Sequence, residues 1–287
     1  MNIIMNALFK NIPWYFRDVI MYRKKFGCFP NLSNPQTFNE KILKRKRTEC
    51  FDNKLYTNLA DKYKVRNYVS TLIGSRYLIP LIDVYSDASS LKNNIFKINK
   101  SVIKPNHGSG MVIFMEDYPT YEKACQTLRE VNKWMRIDFS KVACEYHYRH
   151  IKRKIIIEKM IGDINNPPTD YKFHIFKKRD SIFFVLQIIE RKYGKKPIFT
   201  TYINNFDAPC KGFYSISKEN IEIARKALDE SVSLMNILEY ARMDWLVHNN
   251  ELYFSEITLT PAAGYVTGLG KELDLLMGQQ WDLPQKI

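Results

Sequence analysis

Two strand-like segments joined by Asn249-Asn250 constrain the fold of this chain more than any other feature of its sequence. Because side chains alternate between the two faces of a strand, the length of the joining loop decides which residues share a face. A two-residue loop would set Asp244 opposite Ser255. A three-residue loop with one left-handed asparagine would instead set Asp244 opposite Glu256, with Thr258 on the same face. The sequence leaves both registers open. The two segments are Arg242–His248 and Leu252–Thr258.

The second register would place two carboxylates side by side, which is chemistry suited to a magnesium ion. Mg²⁺ prefers oxygen ligands, and in nucleotide enzymes it is shared between one or two carboxylates and the phosphates. Spacing alone favours a plainer interpretation, in which a solvated hairpin face carries two ordinary acids. The segments upstream shift the balance towards a metal site.

A predicted strand that ends at Lys104 leads into a turn containing His107, Gly108, Ser109 and Gly110. Glycine lets backbone N–H groups approach a phosphate closely, and Lys104 would add a positive charge. A plain hairpin turn explains the same residues, so this feature is weak evidence by itself. Neither the P-loop pattern nor the dinucleotide-binding glycine pattern occurs in the chain.

The remaining patterns predict an α+β fold, because helices are interspersed with mostly antiparallel strands. A chain of 287 residues is long enough to bury a substantial core. We expect helices over 1–75, 122–137 and 219–240, and we expect a capping box that joins Thr37 to Glu40. Further strands are expected over 77–85 (weakened by Pro80), 96–104, 111–115, 155–161, 171–176 and 182–189.

The net charge of +14 predicts an anionic partner, and nucleic acid, a membrane surface, nucleotide phosphates and acidic polysaccharide all qualify. Residues 1–47 contain ten Lys or Arg against two acids, an excess of eight positive charges. Residues 1–30 are also rich in aromatic and aliphatic side chains, without a charge-free run long enough to span a bilayer. Such a segment either lies at an anionic membrane surface or packs on the body of the protein.

The five cysteines are scattered and include no Cys-x-x-Cys pair, which argues against a disulfide framework or a thiolate zinc site. A reducing, cytoplasmic compartment is therefore expected. No recognised nucleic-acid-binding motif accompanies the positive charge, so we expect no nucleic-acid partner.

The order of several short motifs resembles that of ATP-grasp ligases such as D-alanine:D-alanine ligase. These motifs are Ala60–Lys62, Val102–Pro105 with its glycine turn, Ile156–Lys159, Arg242–Asp244 and Ser255–Pro261. A closer resemblance is to the TupA-like ATP-grasp group, which is associated with the synthesis of bacterial cell-surface polymers. It is carried by Thr37–Ile42, Ala60–Tyr63, Lys104–Gly110 and Asp170–Phe173, and it extends over roughly residues 35–270.

The resemblance implies a role for each candidate residue at the nucleotide. Lys62 and Lys104 would contact the phosphates, and the turn His107–Gly110 would close over them. The adenine hinge would consist of Glu158, Lys159 and Ile161, with Asp170 or Lys172 near the ribose or a phosphate. Arg191 and its neighbour Lys192 are either further phosphate contacts or a solvated basic turn.

The resemblance also implies the metal site and the catalytic group. Asp244 and Glu256 would bind Mg²⁺, and Arg242 would stabilise the charge that develops as an acyl phosphate forms and collapses. Many members of the family carry Asn two residues after the metal-binding Glu, whereas this chain has Thr258. Either the Thr258 hydroxyl supplies an oxygen ligand, or the change from Asn to Thr indicates a weakened second metal site.

The fold implied is an ATP-grasp fold, with two α+β subdomains that grip ATP, preceded by a basic helical segment. We expect that segment over 1–50, the N-terminal and central subdomains over 51–160, and the C-terminal subdomain over 161–287.

The activity implied is ATP-dependent ligation of a carboxylate to an amine. The resemblance suggests that an amino acid or peptide is attached to a uronic acid in a capsule, O-antigen or teichuronic-type polymer. An ATP-dependent phosphotransferase and a glycosyltransferase of the same pathway are the alternatives.

Overall fold

Two antiparallel sheets form the frame of the protein in the computed structural model, which describes residues 12–179, 181–192, 194–210 and 217–284. The first sheet has the strand order β1-β4-β2-β3, and the second has the order β7-β6-β5-β8-β9. The strands are β1 (Leu81–Tyr85), β2 (Ser101–Pro105), β3 (Ile113–Met115), β4 (Ile155–Lys159), β5 (Thr169–Lys178), β6 (Ser181–Glu190), β7 (Ile198–Ile203), β8 (Tyr240–His248) and β9 (Glu251–Thr258). The predicted α+β class is confirmed.

The α-helices lie between these strands and at both ends of the described chain. They are α1 (Trp14–Phe26), α2 (Phe38–Arg45), α3 (Lys54–Ala60), α4 (Val65–Ile73), α5 (Ala88–Lys92), α6 (Tyr121–Arg136), α7 (Phe139–Ala143), α8 (Lys218–Met235) and α9 (Gly270–Gln279). The strand predicted from residue 77 begins only at Leu81, because Pro80 lacks the N–H that a sheet requires and Ser75–Tyr77 forms a 3₁₀ turn. None of the helices in the described ranges is long and apolar enough to cross a bilayer.

The chain folds as two compact units. The large unit comprises Asn58–Ile137 and Ile151–Thr258, and it contains both sheets. The described part of the small unit comprises residues 12–57, 138–150 and 259–284. The predicted boundaries near residues 50 and 160 concern subdomains rather than these units, and they stay predictions.

The second sheet of the large unit is held by α8. The helical spacing of apolar residues predicted this helix, although it ends at Met235 rather than at residue 240, where β8 begins. Ser217 caps this helix by accepting a hydrogen bond from the Asn220 N–H, and the apolar face of the helix is buried. Trp245 of β8 is fully buried, and its indole N–H donates to Ser231 of α8 at 2.8 Å. The opposite face of β8, which carries Asp244, is thereby directed away from α8.

In the small unit, the segment Thr37–Ile42 makes structural contacts. The predicted capping box is present, with the Thr37 and Glu40 side chains each accepting a hydrogen bond from the other's backbone N–H. Asn39 donates its backbone N–H to Asp274 of α9 at 2.9 Å, and Lys41 donates to the Gly278 carbonyl at 2.7 Å. One of the motifs that carry the family resemblance therefore fastens α2 to α9.

Helix α1 packs through one face and exposes the other. Asp18 is buried and accepts hydrogen bonds from Lys46 at 2.9 Å and from Arg47 and Tyr265. Phe16 and Ile20 lie on the exposed side. Packing on the protein, one of the two alternatives drawn from the sequence, is confirmed for the Asp18 face; residues 1–11 lie outside the described residues.

Near this cluster, Glu145 is buried and accepts a hydrogen bond from the Thr260 hydroxyl. Burial raises the pKa of Glu145 to about 7, although Lys46 and the Thr260 hydrogen bond oppose the rise. The neighbouring His147 is also buried, which lowers its pKa to about 3. Glu145 is therefore half ionised near neutral pH, whereas His147 is neutral.

We predict that Glu145 makes the small unit more stable as pH falls from about 7 towards 4.5, because the folded state then binds a proton that the unfolded state has released. Relative to Glu145→Gln, the free energy of unfolding of the native protein should increase by about 1.4 kcal/mol for each unit by which the pH falls in that window. Urea unfolding of both proteins across this pH range measures the effect.

His147 has the opposite effect, because its contribution to the stability of the protein is lost as pH falls below 6.5. This effect is the same in both proteins, so it cancels when their free energies of unfolding are subtracted. The amide side chain introduced by Glu145→Gln can still accept the Thr260 hydrogen bond. Parallel stability curves for the two proteins would contradict the prediction.

Candidate active site

Asp244 of β8 lies directly opposite Glu256 of β9, as the metal-site hypothesis requires. The loop between the strands is nevertheless the two-residue loop, with Asn249 and Asn250 both in the left-handed conformation at φ 50° and 62°. The expectation that this register needs a three-residue loop is wrong. A β-bulge at Ser255 adds one residue to β9 and shifts the register between Trp245 and Asp244.

The bulge reverses the order in which β9 presents its side chains. Leu252 and Phe254 are buried before the bulge, and Ile257 is buried after it. Strict alternation from Phe254 would have buried Glu256 and exposed Ile257. This break in the apolar period is visible in the sequence, and it is the signal that could have revealed the bulge.

Three cationic side chains surround the paired acids. Asp244 accepts hydrogen bonds from Lys172 Nζ at 2.6 Å and from Arg242 Nε and Nη2 at 2.6 and 2.7 Å. Arg242 Nη2 also donates to Thr258 Oγ1 at 3.1 Å, and that hydroxyl donates to Glu256 at 2.9 Å. The predicted catalytic and metal residues Arg242, Asp244, Glu256 and Thr258 thus form one network with Lys172.

Lys62 connects this network to the glycine-rich turn. Its Nζ lies 3.3 Å from Glu256 Oε2 and donates to the Gly108 carbonyl at 2.7 Å. Gly108 and Gly110 have φ values of 88° and 75°, which glycine adopts without strain and other residues rarely adopt. The predicted proximity of Lys62, the turn and the acids is therefore present.

The second predicted lysine, Lys104 of β2, forms an ion pair with Glu158 of β4 at 2.6 Å. Arg66 of α4 forms a second ion pair with the same carboxylate at 3.0 Å. Sequence reasoning missed Arg66, although it lies four residues after Lys62, because no spacing rule connects it to a residue on β4.

Asp61 and Asn106 fasten the two lysine segments to each other, and neither was selected from the sequence. Asn106 is fully buried and donates from Nδ2 to Asp61 Oδ1 at 2.8 Å and to the Lys152 carbonyl at 3.0 Å. The Lys62 N–H donates to the Asn106 carbonyl at 3.0 Å. Both residues lie inside the segments Ala60–Tyr63 and Lys104–Gly110 that carry the resemblance, which was the available signal.

The predicted adenine hinge begins within the last two residues of β4, Glu158 and Lys159, and continues to Ile161 beyond the strand. The Lys159 N–H donates to the Pro80 carbonyl and the Met160 N–H to the Lys100 carbonyl, both at 2.9 Å. Ile161 is buried and is followed by Gly162 at φ 69°. The hinge backbone is thereby held from two sides.

The other predicted nucleotide contacts are Asp170, Arg191, His107 and Ser109. Asp170 of β5 forms an ion pair with Arg191, which follows β6. Ser109 in the turn is exposed, whereas His107 is buried, and burial lowers the pKa of its imidazole, with Arg153 adding to the effect. The roles assigned to these four residues stay predictions.

The electrostatics of the site favour an ionised Glu256 and an anionic ligand. Burial would raise the pKa of Glu256, but Lys62, Arg242 and Lys172 outweigh it and lower that pKa well below its usual range. Burial likewise disfavours the charged form of Arg242, but Asp244 keeps its pKa raised. With three cations around two carboxylates, the network keeps one excess positive charge.

The residues fit a magnesium ion that is completed by a ligand. Two carboxylates and a hydroxyl are the hard oxygen donors that Mg²⁺ prefers. Within the described part of the chain, no group of three or more His, Cys, Asp or Glu side chains could hold a metal alone. Asp244, Glu256 and Thr258 therefore suit a metal whose remaining ligands come from phosphates and water.

Comparison with known proteins identifies a family and a fold for this chain. The family described as TupA-like ATPgrasp matches residues 40–282. L-amino acid ligase from Bacillus licheniformis has a similar structure, with a TM-score of 0.50 and 14% sequence identity over 91% of this chain and 60% of that chain. At such identity the likeness concerns the fold alone, and it supports the predicted ATP-grasp fold.

Two further solved structures have lower TM-scores. D-alanine-D-alanine ligase from Helicobacter pylori has a TM-score of 0.49 and 15% identity over 79% of this chain and 61% of that chain. N5-carboxyaminoimidazole synthetase from Staphylococcus aureus, complexed with ADP, has a TM-score of 0.43 and 13% identity over 79% and 52%. This chain thus spans about 60% or less of the length of these proteins. No curated protein sequence matches it.

We predict that Asn106→Asp destabilises the protein by about 3 kcal/mol or more, because it replaces a buried donor with a carboxylate that faces Asp61 and a carbonyl. Urea unfolding at pH 8 measures the change. Asn67→Asp on the exposed side of α4 is the matched control and should stay within about 0.5 kcal/mol of the native protein. Equal stability of the two variants would contradict the fastening role of Asn106.

Proposed function

The chain belongs to the TupA-like ATP-grasp family, within the superfamily of ATP-grasp carboxylate-amine ligases, and on this premise we propose that it joins a carboxylate to an amine with conversion of ATP to ADP. The observation that carries the proposal is the pairing of Asp244 with Glu256 across β8 and β9, with Lys62 Nζ 3.3 Å from Glu256 Oε2. A solvated hairpin face would not need three cations to converge on it.

The proposed reaction has two steps. A carboxylate oxygen of the first substrate attacks the γ-phosphorus of ATP, the bond to the β-phosphate oxygen breaks, and ADP leaves. The amine of the second substrate then attacks the acyl-phosphate carbonyl, phosphate leaves, and the amine loses its proton to form the amide. No nucleophile of the protein is required, so positioning and charge compensation supply the catalysis.

Asp244 and Glu256, with the Thr258 hydroxyl, would hold Mg²⁺, which neutralises phosphate charge when it is bound. Lys62 and Lys104 would exchange their present carboxylate partners for phosphate oxygens. Arg242 would keep its fork on Asp244 and stabilise the negative charge of the transferring phosphoryl group with the remaining donors.

The nucleotide would be recognised along β4 and the glycine-rich turn. We assign the adenine hinge to Glu158, Lys159 and Ile161, and the phosphate cover to His107–Gly110. Asp170, Lys172 and Arg191 would contribute at the ribose or the phosphates. Lys172 already donates to Asp244, so its contribution would include holding that carboxylate in place.

For the substrates, we propose an amino acid or peptide as the amine and a uronic-acid-type carboxylate of a bacterial surface polysaccharide. The family association supports this choice, and the net charge of +14 suits an acidic polymer. A phosphotransferase acting on a sugar hydroxyl is the second candidate, because the same nucleotide site could serve it.

We predict that sustained release of ADP by the purified protein requires a carboxylate and an amine together with ATP and Mg²⁺, because without the amine the acyl phosphate of the first step is not consumed. Panels of amino acids and uronic acids, with ADP detection and mass spectrometry of the amide, test this requirement. A stable phosphorylated sugar formed without an amine would favour the phosphotransferase. Transfer from a nucleotide sugar without ATP would identify a glycosyltransferase.

In the same assay, Asp244→Asn and Glu256→Gln should each lower turnover by about 100-fold or more, because each removes a metal ligand and an anchor for the cations. Glu251→Gln, at the exposed start of β9, is the matched control and should keep native turnover. Unchanged ADP release by both site variants would show that the metal assignment is wrong.

We also propose that α1 contacts the inner, cytoplasmic face of the bacterial membrane. Its exposed side presents Phe16 and Ile20, and Phe29 just beyond it is 61% exposed. Lys24 is exposed on the same side, and the guanidinium of Arg23 lies 4.3 Å from the centre of the Phe29 ring. Apolar side chains mixed with basic residues suit the headgroup region of an anionic leaflet.

We predict that the protein sediments with vesicles of phosphatidylcholine and phosphatidylglycerol but not with phosphatidylcholine alone. Phe16→Ser with Ile20→Ser should abolish binding, and Lys24→Ala should weaken it about fivefold, since each basic residue contributes about 1 kcal/mol. Ile237→Ser removes an exposed apolar residue of the large unit and is the control. Binding that ignores lipid charge, or that survives the double substitution, would contradict the proposal.

A further inference from the structure

Arg66 is a charged residue beside the nucleotide site that the proposed reaction leaves without a role. It lies on α4, and its side chain is 16% exposed. Nη1 donates to Glu158 Oε1 at 3.0 Å, and Nη2 donates to the Ile79 carbonyl at 2.8 Å. Because the Ile79 carbonyl holds Nη2, the orientation of the guanidinium is fixed, and Nη1 is directed at Glu158.

Glu158 is shared between two cations. Its Oε2 lies 2.6 Å from Lys104 Nζ, while its Oε1 accepts from Arg66. The Glu158 side chain is 6% exposed, and a carboxylate at that depth is costly unless it is paired. Lys104 carries a point charge on a flexible side chain, whereas the planar guanidinium of Arg66 has fixed donor directions. Arg66 therefore determines the position of the Glu158 carboxylate.

This arrangement determines how easily Lys104 can turn to a phosphate. When Lys104 leaves Glu158 for a phosphate oxygen, the carboxylate still has Arg66 as its partner. Without Arg66, Lys104 would be the remaining ion-pair partner of Glu158 among the described residues, and its departure would leave a buried charge uncompensated. Arg66 therefore lowers the free-energy cost of moving Lys104.

We infer that Arg66 is a positioning residue for nucleotide phosphates, which holds Glu158 so that Lys104 can bind them; this inference rests on the proposed function. Arg66 touches neither phosphate nor metal in this role. Its effect should therefore depend on the phosphates of the ligand and on the presence of Lys104. A residue that only stabilised the fold would show neither dependence.

Calorimetric titration of the purified chain with ADP and with adenosine tests the inference. We expect Arg66→Ala to weaken ADP binding about tenfold, which corresponds to about 1.4 kcal/mol. Adenosine binding should stay within about twofold, because the hinge would bind adenine through its main chain, whereas Arg66 holds the Glu158 side chain. Arg66→Lys should recover part of the ADP affinity, because it restores a cation beside Glu158. The control is Arg76→Ala, at an arginine whose side chain is 71% exposed and pairs with Glu230; it should bind as the native protein does.

A double-variant cycle separates positioning from an independent contact. Arg66→Ala with Lys104→Ala should bind ADP no more weakly than Lys104→Ala alone, because Arg66 acts through Lys104. Additive losses, or equal weakening of ADP and adenosine by Arg66→Ala, would overturn the inference. If the native protein itself failed to bind ADP, the proposed function would be overturned, and this inference with it.

Discussion

A pair of neighbouring carboxylates in a largely buried position is costly unless cations compensate its charge, and this constraint organises the large unit. Asp244 and Glu256 are compensated by Lys62, Lys172 and Arg242. These cations come from the turn before α4, from β5 and from β8. The network therefore forms only when the second sheet and the Lys62 turn are both in place, so the candidate site depends on the fold of the large unit.

Glu158 follows the same rule at the first sheet. Its carboxylate is compensated by Lys104 and Arg66, so each of the two lysines proposed to contact phosphate is held by an acid. Such acids orient the lysines and limit their loss of side-chain entropy when a nucleotide binds. The cost is competition, because every phosphate contact must displace an ion pair. The balance between these effects sets the affinity of the site.

Features that depend on nearby residues could be predicted from the sequence. The capping box at Thr37, helix α8 and the β5–β6 hairpin all follow from patterns within a few turns of chain. The pairing of Asp244 with Glu256 was among the registers expected, but the bulge that produces it was not, because loop-length reasoning assumes a regular ladder. Arg66 and the Asp61–Asn106 pair were missed because their partners lie 92 and 45 residues away, beyond the reach of any spacing rule.

The contacts of Thr37–Ile42 bear on how such families evolve. This segment is one of those that carry the resemblance, yet its contacts cap a helix and anchor α9 within the small unit. Selection for a stable fold would preserve it in a descendant that had lost its chemistry. An inactive homologue would thus keep the Thr37–Ile42 segment while the lysines and acids of the candidate site changed. Genome surveys should therefore separate active from inactive homologues by those lysines and acids.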